Sequence, residues 1–183
     1  MNDSALLSGV AKLFGRLLVR EIDGALAAEL STPEIASALR GMGLEVPGFT
    51  RDVLDDLAAD YFEFMVKPND QAPLLQSLFE DGRYQSAVTV SIERIADSAG
   101  VELDRELARG APVDHLGVEL LLWAELATRS SSVAHEFAER HLAWSLKPLQ
   151  AAALTGGFYG RLASTTAQFI DSVMRGKVTE SSL

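Results

Sequence analysis

Apolar residues recur at three- and four-residue intervals along almost the whole chain, and this spacing constrains the fold more than any other feature. Leu6, Val10, Leu13 and Leu17 form the first such stripe, and the last lies within residues 158–173. No segment shows the alternation of a half-buried strand, and no repeat of about 20–50 residues is visible. We therefore predict an all-α fold, in which residues 1–183 form a single-domain helical bundle.

Capping residues in front of these stripes predict where several helices begin. Asp23 is expected to cap a short helix through Leu30, and Thr50 is expected to cap a later one. The run 31–34 combines a hydroxyl, a proline and a glutamate, which predicts a helix start capped by Ser31. Another helix is predicted over residues 83–98. Two prolines around asparagine and aspartate predict a loop at residues 67–73.

Pro112, Asp114 and His115 directly precede the apolar run 117–123. Proline suits the first turn of a helix because the N–H that it lacks would be unpaired there, and a carboxylate two residues later faces the positive end of the helix dipole. We therefore predict a helix that begins near Pro112 and ends near Thr128, with Asp114 and His115 at its start.

The composition excludes several classes of function. Sixteen basic against twenty-six acidic residues give a formal charge of −10, which disfavours nucleic acid and anionic membranes. Solubility is the preferred interpretation of this acidity, and attraction of a basic partner is the alternative. The absence of cysteine excludes disulfides and thiolate chemistry. Neither a basic signal-peptide region nor an apolar run of about 20 residues is present, so we expect a cytoplasmic protein without stable membrane insertion.

No motif in the sequence predicts catalysis. Nucleophile elbows, phosphate loops and dinucleotide fingerprints are absent, and the adjacent side chains of Asp114 and His115 diverge by about 100° on a helix. We therefore expect neither an enzyme nor a bound metal or other cofactor. His141 is interpreted as a partly buried structural histidine bonded to a helix end, with pH sensing as the alternative.

Two pairs at helical spacing support a competing hypothesis, a helical metal-dependent enzyme. His115 with Glu119 and His135 with Glu139 are each four residues apart, but the Glu-x-x-His pattern of bundled di-metal sites is absent. Solvated pairs are therefore the preferred interpretation. A helical adaptor for an unrelated partner is a third hypothesis.

Five blocks occur in an order that resembles the TorD family of cytoplasmic molybdoenzyme chaperones. The blocks are residues 11–18, 61–65, 72–79, 112–116 and 137–144, followed by Phe158 and Tyr159. The fourth is similar to the Glu-Pro-x-Asp-His-Leu signature of the family, with Ala111 in place of its glutamate. Phe64 and Met65 replace a Leu-Phe pair, and Leu75 replaces an aromatic residue. The related NarJ branch, which serves nitrate reductases and generally lacks the Asp-His signature, is the alternative.

The resemblance implies a chaperone that binds the apo catalytic subunit of a molybdopterin oxidoreductase and its twin-arginine leader before export. It also implies that a carboxylate at Asp114 meets a leader arginine, while His115 either contacts the peptide or orders the preceding loop through a backbone carbonyl. Monomeric and homodimeric forms are both compatible with the sequence. The peptide-binding candidates are Tyr61, Phe64, Met65, Pro73, Leu75, Ser77, Phe79, Pro112, Asp114 and His115.

Overall fold

The computed structural model describes residues 3–66 and 74–176, and within these ranges the regular structure is helical. The helices are α1 (Asp3–Val19), α2 (Gly24–Leu30), α3 (Pro33–Gly41), α4 (Arg51–Tyr61), α5 (Gln76–Asp81), α6 (Ala87–Ser98), α7 (Leu116–Arg129), α8 (Ser131–His141), α9 (Leu146–Ala153) and α10 (Gly157–Arg175). A π-helical turn, Phe62–Val66, continues α4, and a 3₁₀ turn, Ala143–Ser145, joins α8 to α9. The predicted all-α fold is confirmed. The predicted loop 67–73 lies outside the described residues.

Local capping explains several helix starts. The side chains of Asp23 and Thr50 accept hydrogen bonds from Leu26 N and Val53 N, as predicted. The predicted cap at Ser31 is wrong because its hydroxyl donates to the carbonyl of Ala27 at the end of α2, and α3 starts two residues later. Similarly, α6 begins four residues after the predicted start, at a hydrogen bond from Val88 N to Ser86 Oγ.

The core is built around a close crossing of α1 and α7. A β-carbon placed on Gly15 would lie 2.6 Å from the carbonyl oxygen of Gly117, so only glycine permits this approach. The α10 ring of Phe169 packs edge-on against Phe14 of α1 and Trp123 of α7, with ring centroids 5.8 and 5.7 Å away. These contacts join three helices distant in sequence into one core.

The sequence predicts that the helix before residues 147–148 is kinked or ended there. It ends earlier, at His141, and the 3₁₀ turn Ala143–Ser145 separates it from α9, whose first turn contains Pro148. Proline is tolerated there because the N–H groups of the first turn of a helix have no partner within that helix. Within the described ranges, none of the helices is sufficiently long and apolar to span a membrane.

Candidate functional site

Two of the blocks singled out in the sequence lie side by side. Leu75 and His115 form an isolated antiparallel bridge. In this bridge Gln76 N donates to Asp114 O, and Leu116 N donates to Leu74 O, both at 2.9 Å. The segment before α5 is therefore fixed to the segment before α7, and six of the ten candidates belong to these two segments or to α5.

Asp114 holds the start of α5 rather than the start of its own helix. Its side chain is 3% exposed, and Oδ2 accepts a hydrogen bond of 3.1 Å from the backbone N–H of Ser77. The predicted helix start near Pro112 is wrong, whereas the predicted place of His115 at the helix start is confirmed. His115 N donates to Pro112 O at 3.0 Å, which closes a turn, and α7 begins only at Leu116.

His115 is the N-cap of α7. Its Nδ1 atom accepts a hydrogen bond of 3.1 Å from Gly117 N, which leaves Nε2 to carry the proton of the neutral ring. Burial lowers the pKa of His115 to about 4, although the adjacent Asp114 carboxylate acts in the opposite direction. His115 therefore orders the helix start through a backbone N–H, not the preceding loop through a carbonyl.

The side chains of α5 divide into a buried and a partly exposed set. Ser77 is completely buried, whereas Leu75 and Phe79 keep part of their surface accessible, and Pro112 is exposed on the neighbouring segment. The ring of Phe79 packs against Trp144 with centroids 5.5 Å apart. Leu75, Phe79 and Pro112 thus keep apolar atoms accessible at this junction, as do Leu78 and Val113.

Tyr61 and Phe64 form a different aromatic cluster. Both rings pack on Tyr159 of α10, with centroid distances of 5.7 and 5.9 Å. The hydroxyl of Tyr61 donates to the carbonyl of Leu18 at 3.4 Å, and burial raises its pKa to about 12. The backbone of Met65 belongs to the π-helical turn, but its side chain, like all of Pro73, lies outside the described residues.

Glu119 is a buried carboxyl group in the middle of the apolar face of α7. It is 0% exposed, and Oε2 accepts a hydrogen bond of 3.0 Å from Trp144 Nε1. Its other oxygen, Oε1, has no hydrogen-bond partner among the described residues. Burial raises the pKa of Glu119 well above its usual range, despite the opposing effect of the Trp144 bond. Glu119 therefore links α7 to the turn after α8, and its burial favours the protonated form of the carboxyl group.

Gln76 and His141 join α5 to α8 through a second buried contact, which the sequence did not predict. His141 Nδ1 lies 2.9 Å from Gln76 Oε1, and its Nε2 lies 3.1 Å from Ser91 Oγ of α6. Gln76 Nε2 also donates to the carbonyl of Arg140 at 3.1 Å. The interpretation of His141 as a structural residue fits this burial, but its partners are side chains rather than a helix end.

Replacing His141 with glutamine is expected to reduce the acid sensitivity of the fold. Burial, with a contribution from Arg140, lowers the pKa of His141 to about 4, below the usual value near 6.5. As the pH falls, the unfolded chain is therefore protonated at this histidine before the folded protein is. The stability that the neutral ring contributes above about pH 6.5 is lost as the pH falls toward 4. The wild type should lose about 2 kcal/mol through this residue between pH 7 and pH 5.

Urea unfolding of wild type and His141→Gln at these two pH values measures the difference. His135→Gln, at an exposed position on the same helix, is the matched control. Parallel losses of stability in the wild type and in the His141 variant would contradict the assignment.

The residues of the metal-dependent alternative do not meet in one site. In the two ranges that the structure covers, no group of three or more histidine, aspartate or glutamate side chains is arranged to hold a metal ion. His135 Nε2 and Glu139 Oε1 lie 3.4 Å apart and are exposed, which agrees with the interpretation of these two residues as a solvated pair. The interpretation of His115 and Glu119 as a solvated pair is wrong, because the hydrogen-bond partner of Glu119 is Trp144.

The described part of the chain is thus an all-helical protein in which two distant segments meet at one junction. A family model described as nitrate reductase delta subunit matches residues 23–154. The chain therefore belongs to this family, which comprises chaperones of the NarJ and TorD type. No curated protein and no solved structure matches the chain. The match includes both segments of the Leu75–His115 bridge.

Proposed function

We propose that the protein is a cytoplasmic assembly chaperone for a molybdopterin oxidoreductase. It binds the apo catalytic subunit and its twin-arginine leader, and holds both until the cofactor has been inserted. The observation that carries this proposal is the family match over residues 23–154. The formal charge of −10 supports it, since a leader with paired arginines is attracted to an acidic surface.

The junction of α5 and α7 supplies apolar surface for such a leader. Leu75, Phe79 and Pro112 offer partly or fully exposed apolar atoms there, and Tyr61 and Phe64 offer a second aromatic surface. An apolar peptide segment is bound by side chains of this kind, while charged neighbours add specificity. Asp114, Ser77 and His115 contribute by holding the two segments in place.

Truncation of Phe79 is expected to weaken leader binding by about 1–2 kcal/mol, because buried aromatic residues dominate the binding energy of interfaces. Isothermal titration of Phe79→Ala against a synthetic peptide with two arginines and an apolar stretch measures this effect. Tyr84→Ala removes an aromatic residue that is 66% exposed and outside the candidate set, and serves as control. Equal affinities of wild type and Phe79→Ala would remove the α5 surface from the proposed site.

A nitrate reductase catalytic subunit is a second candidate client, favoured by the description of the family model. Co-purification with two tagged catalytic subunits, one with and one without a twin-arginine leader, distinguishes the two clients. Retention of the first subunit alone, lost on deletion of its leader, supports the twin-arginine proposal. Equal retention of the leaderless subunit supports the nitrate reductase alternative, and retention of neither subunit contradicts the chaperone proposal.

A further inference from the structure

A cleft of about 520 Å³ opens between α6, the segment that follows it and α7. Its lining includes none of the ten peptide-binding candidates, although Val113 lies between two of them in sequence. The apolar part of the lining contains the buried side chains of Ile92, Val101 and Leu122. The cleft therefore shares no lining residue with the exposed surface of Leu75 and Phe79.

Carboxylates dominate the charged rim of this cleft. Glu93 and Asp97 of α6 and Glu102 of the next segment are exposed, and Arg105 is the single cationic residue of the lining. No ion pair in the described part of the chain involves these three carboxylates. The rim thus has an excess of negative charge above an apolar floor.

The position of two of these carboxylates weakens the helix that bears them. Glu93 and Asp97 are four residues apart, where like charges repel each other on a helix surface. Asp97 also lies in the last turn of α6, where a negative charge opposes the helix dipole. The exposed side chain of Val90 lies on the same face, one turn before Glu93. A cationic ligand with an apolar neighbour would relieve this repulsion and cover Val90.

The wall of the cleft is held in a fixed shape by the end of α6. Gly100 has a φ of +62°, which favours glycine, and Val101 N donates to Ala96 O at 2.9 Å in a Schellman-type helix end. Arg129 of α7 donates to the carbonyl of Gly100 at 2.6 Å. The segment with Glu102 is therefore anchored to both helices, and the cleft is formed before any ligand arrives.

We propose that this cleft binds the basic end of the client leader, with guanidinium groups against Glu93, Asp97 and Glu102 and an adjacent apolar side chain over Val90. This inference rests on the proposed chaperone function and assigns a location to the arginine-binding part of it. Charge complementarity selects the occupant, because guanidinium forms paired hydrogen bonds with carboxylates and its flat faces pack on apolar groups.

The test combines a double variant with two peptides. Glu93→Gln with Asp97→Asn is expected to weaken binding of a twin-arginine peptide about threefold to tenfold, as for partly solvated ion pairs. The same variant should bind a peptide with glutamines in place of both arginines as the wild type does. Its thermal stability should be equal or higher, because the repulsion within α6 is removed.

The matched control is Asp52→Asn with Asp56→Asn, which removes two exposed carboxylates at the same spacing from α4. It changes the net charge equally, so a comparable loss of affinity would show a general charge effect and overturn the cleft assignment. If the wild type binds the arginine peptide and the α6 variant binds it equally well, the cleft is rejected while the chaperone proposal stands. If the wild type binds neither peptide, the leader-binding function and the cleft assignment both fail.

Discussion

Replacing Gly117 with alanine is expected to lower the free energy of unfolding by about 3 kcal/mol, at the upper end of typical overpacking costs. The new β-carbon would lie 2.7 Å from the carbonyl oxygen of Gly15 and 2.6 Å from Cγ1 of Val19. The contact with Gly15 is to backbone, so no change of rotamer relieves it, and α1 and α7 must separate. Urea unfolding at neutral pH measures the loss.

Gly9→Ala provides the matched control for this prediction. Gly9 lies in the same helix as Gly15, but a β-carbon there would have no neighbour within 4 Å. Alanine should therefore raise stability by up to about 1 kcal/mol through its higher helix propensity. If both variants gained stability, the close crossing of α1 and α7 would be contradicted.

Replacing Asp114 with alanine is expected to lower the free energy of unfolding by about 2–3 kcal/mol, because the backbone N–H of Ser77 loses its acceptor in a buried position. The start of α5 then keeps only the two backbone hydrogen bonds of the Leu75–His115 bridge, so Leu75 and Phe79 are held less firmly. Leader binding should therefore decrease together with stability. Urea unfolding and titration with the twin-arginine peptide, performed on the same protein, measure both quantities.

Asp114→Asn separates a positioning role from a direct contact with the leader. Asparagine retains an oxygen that accepts from Ser77 N, so most of the stability and most of the affinity should remain. If the side chain meets a leader arginine directly, affinity should instead fall by about 1–3 kcal/mol with little change in stability. That result would show that the buried contact with Ser77 opens when the peptide binds.

The sequence predicted the helical content because helix starts and apolar periodicity are local properties. The side chains of Asp23 and Thr50 each accept a hydrogen bond from a backbone N–H three residues later. Such capping bonds do not depend on any distant part of the chain. The start of α7 was predicted wrongly for the complementary reason. Pro112 and Asp114 have the composition of a helix start, but the carboxylate is bonded to α5, 37 residues earlier in the chain.

The environment of Glu119 was decided by tertiary structure. Its place within the apolar run 117–123 was visible in the sequence, but the spacing to His115 suggested a solvated pair. Burial and the bond to Trp144 arise only when the turn after α8 packs against α7. The acidic cleft was not predicted from the sequence either, because its lining combines residues of α6, of the segment after α6 and of α7.

The sequence alone thus determined the helical class of the fold, several helix boundaries and, through the order of its blocks, the resemblance to a chaperone family. Tertiary structure alone decided which side chains share a surface. It joined Leu75 to His115, kept Tyr61 and Phe64 in a separate cluster with Tyr159, and buried Asp114. The physical reason is that periodicity and capping act over a few residues, whereas burial and long-range hydrogen bonds depend on how distant helices pack.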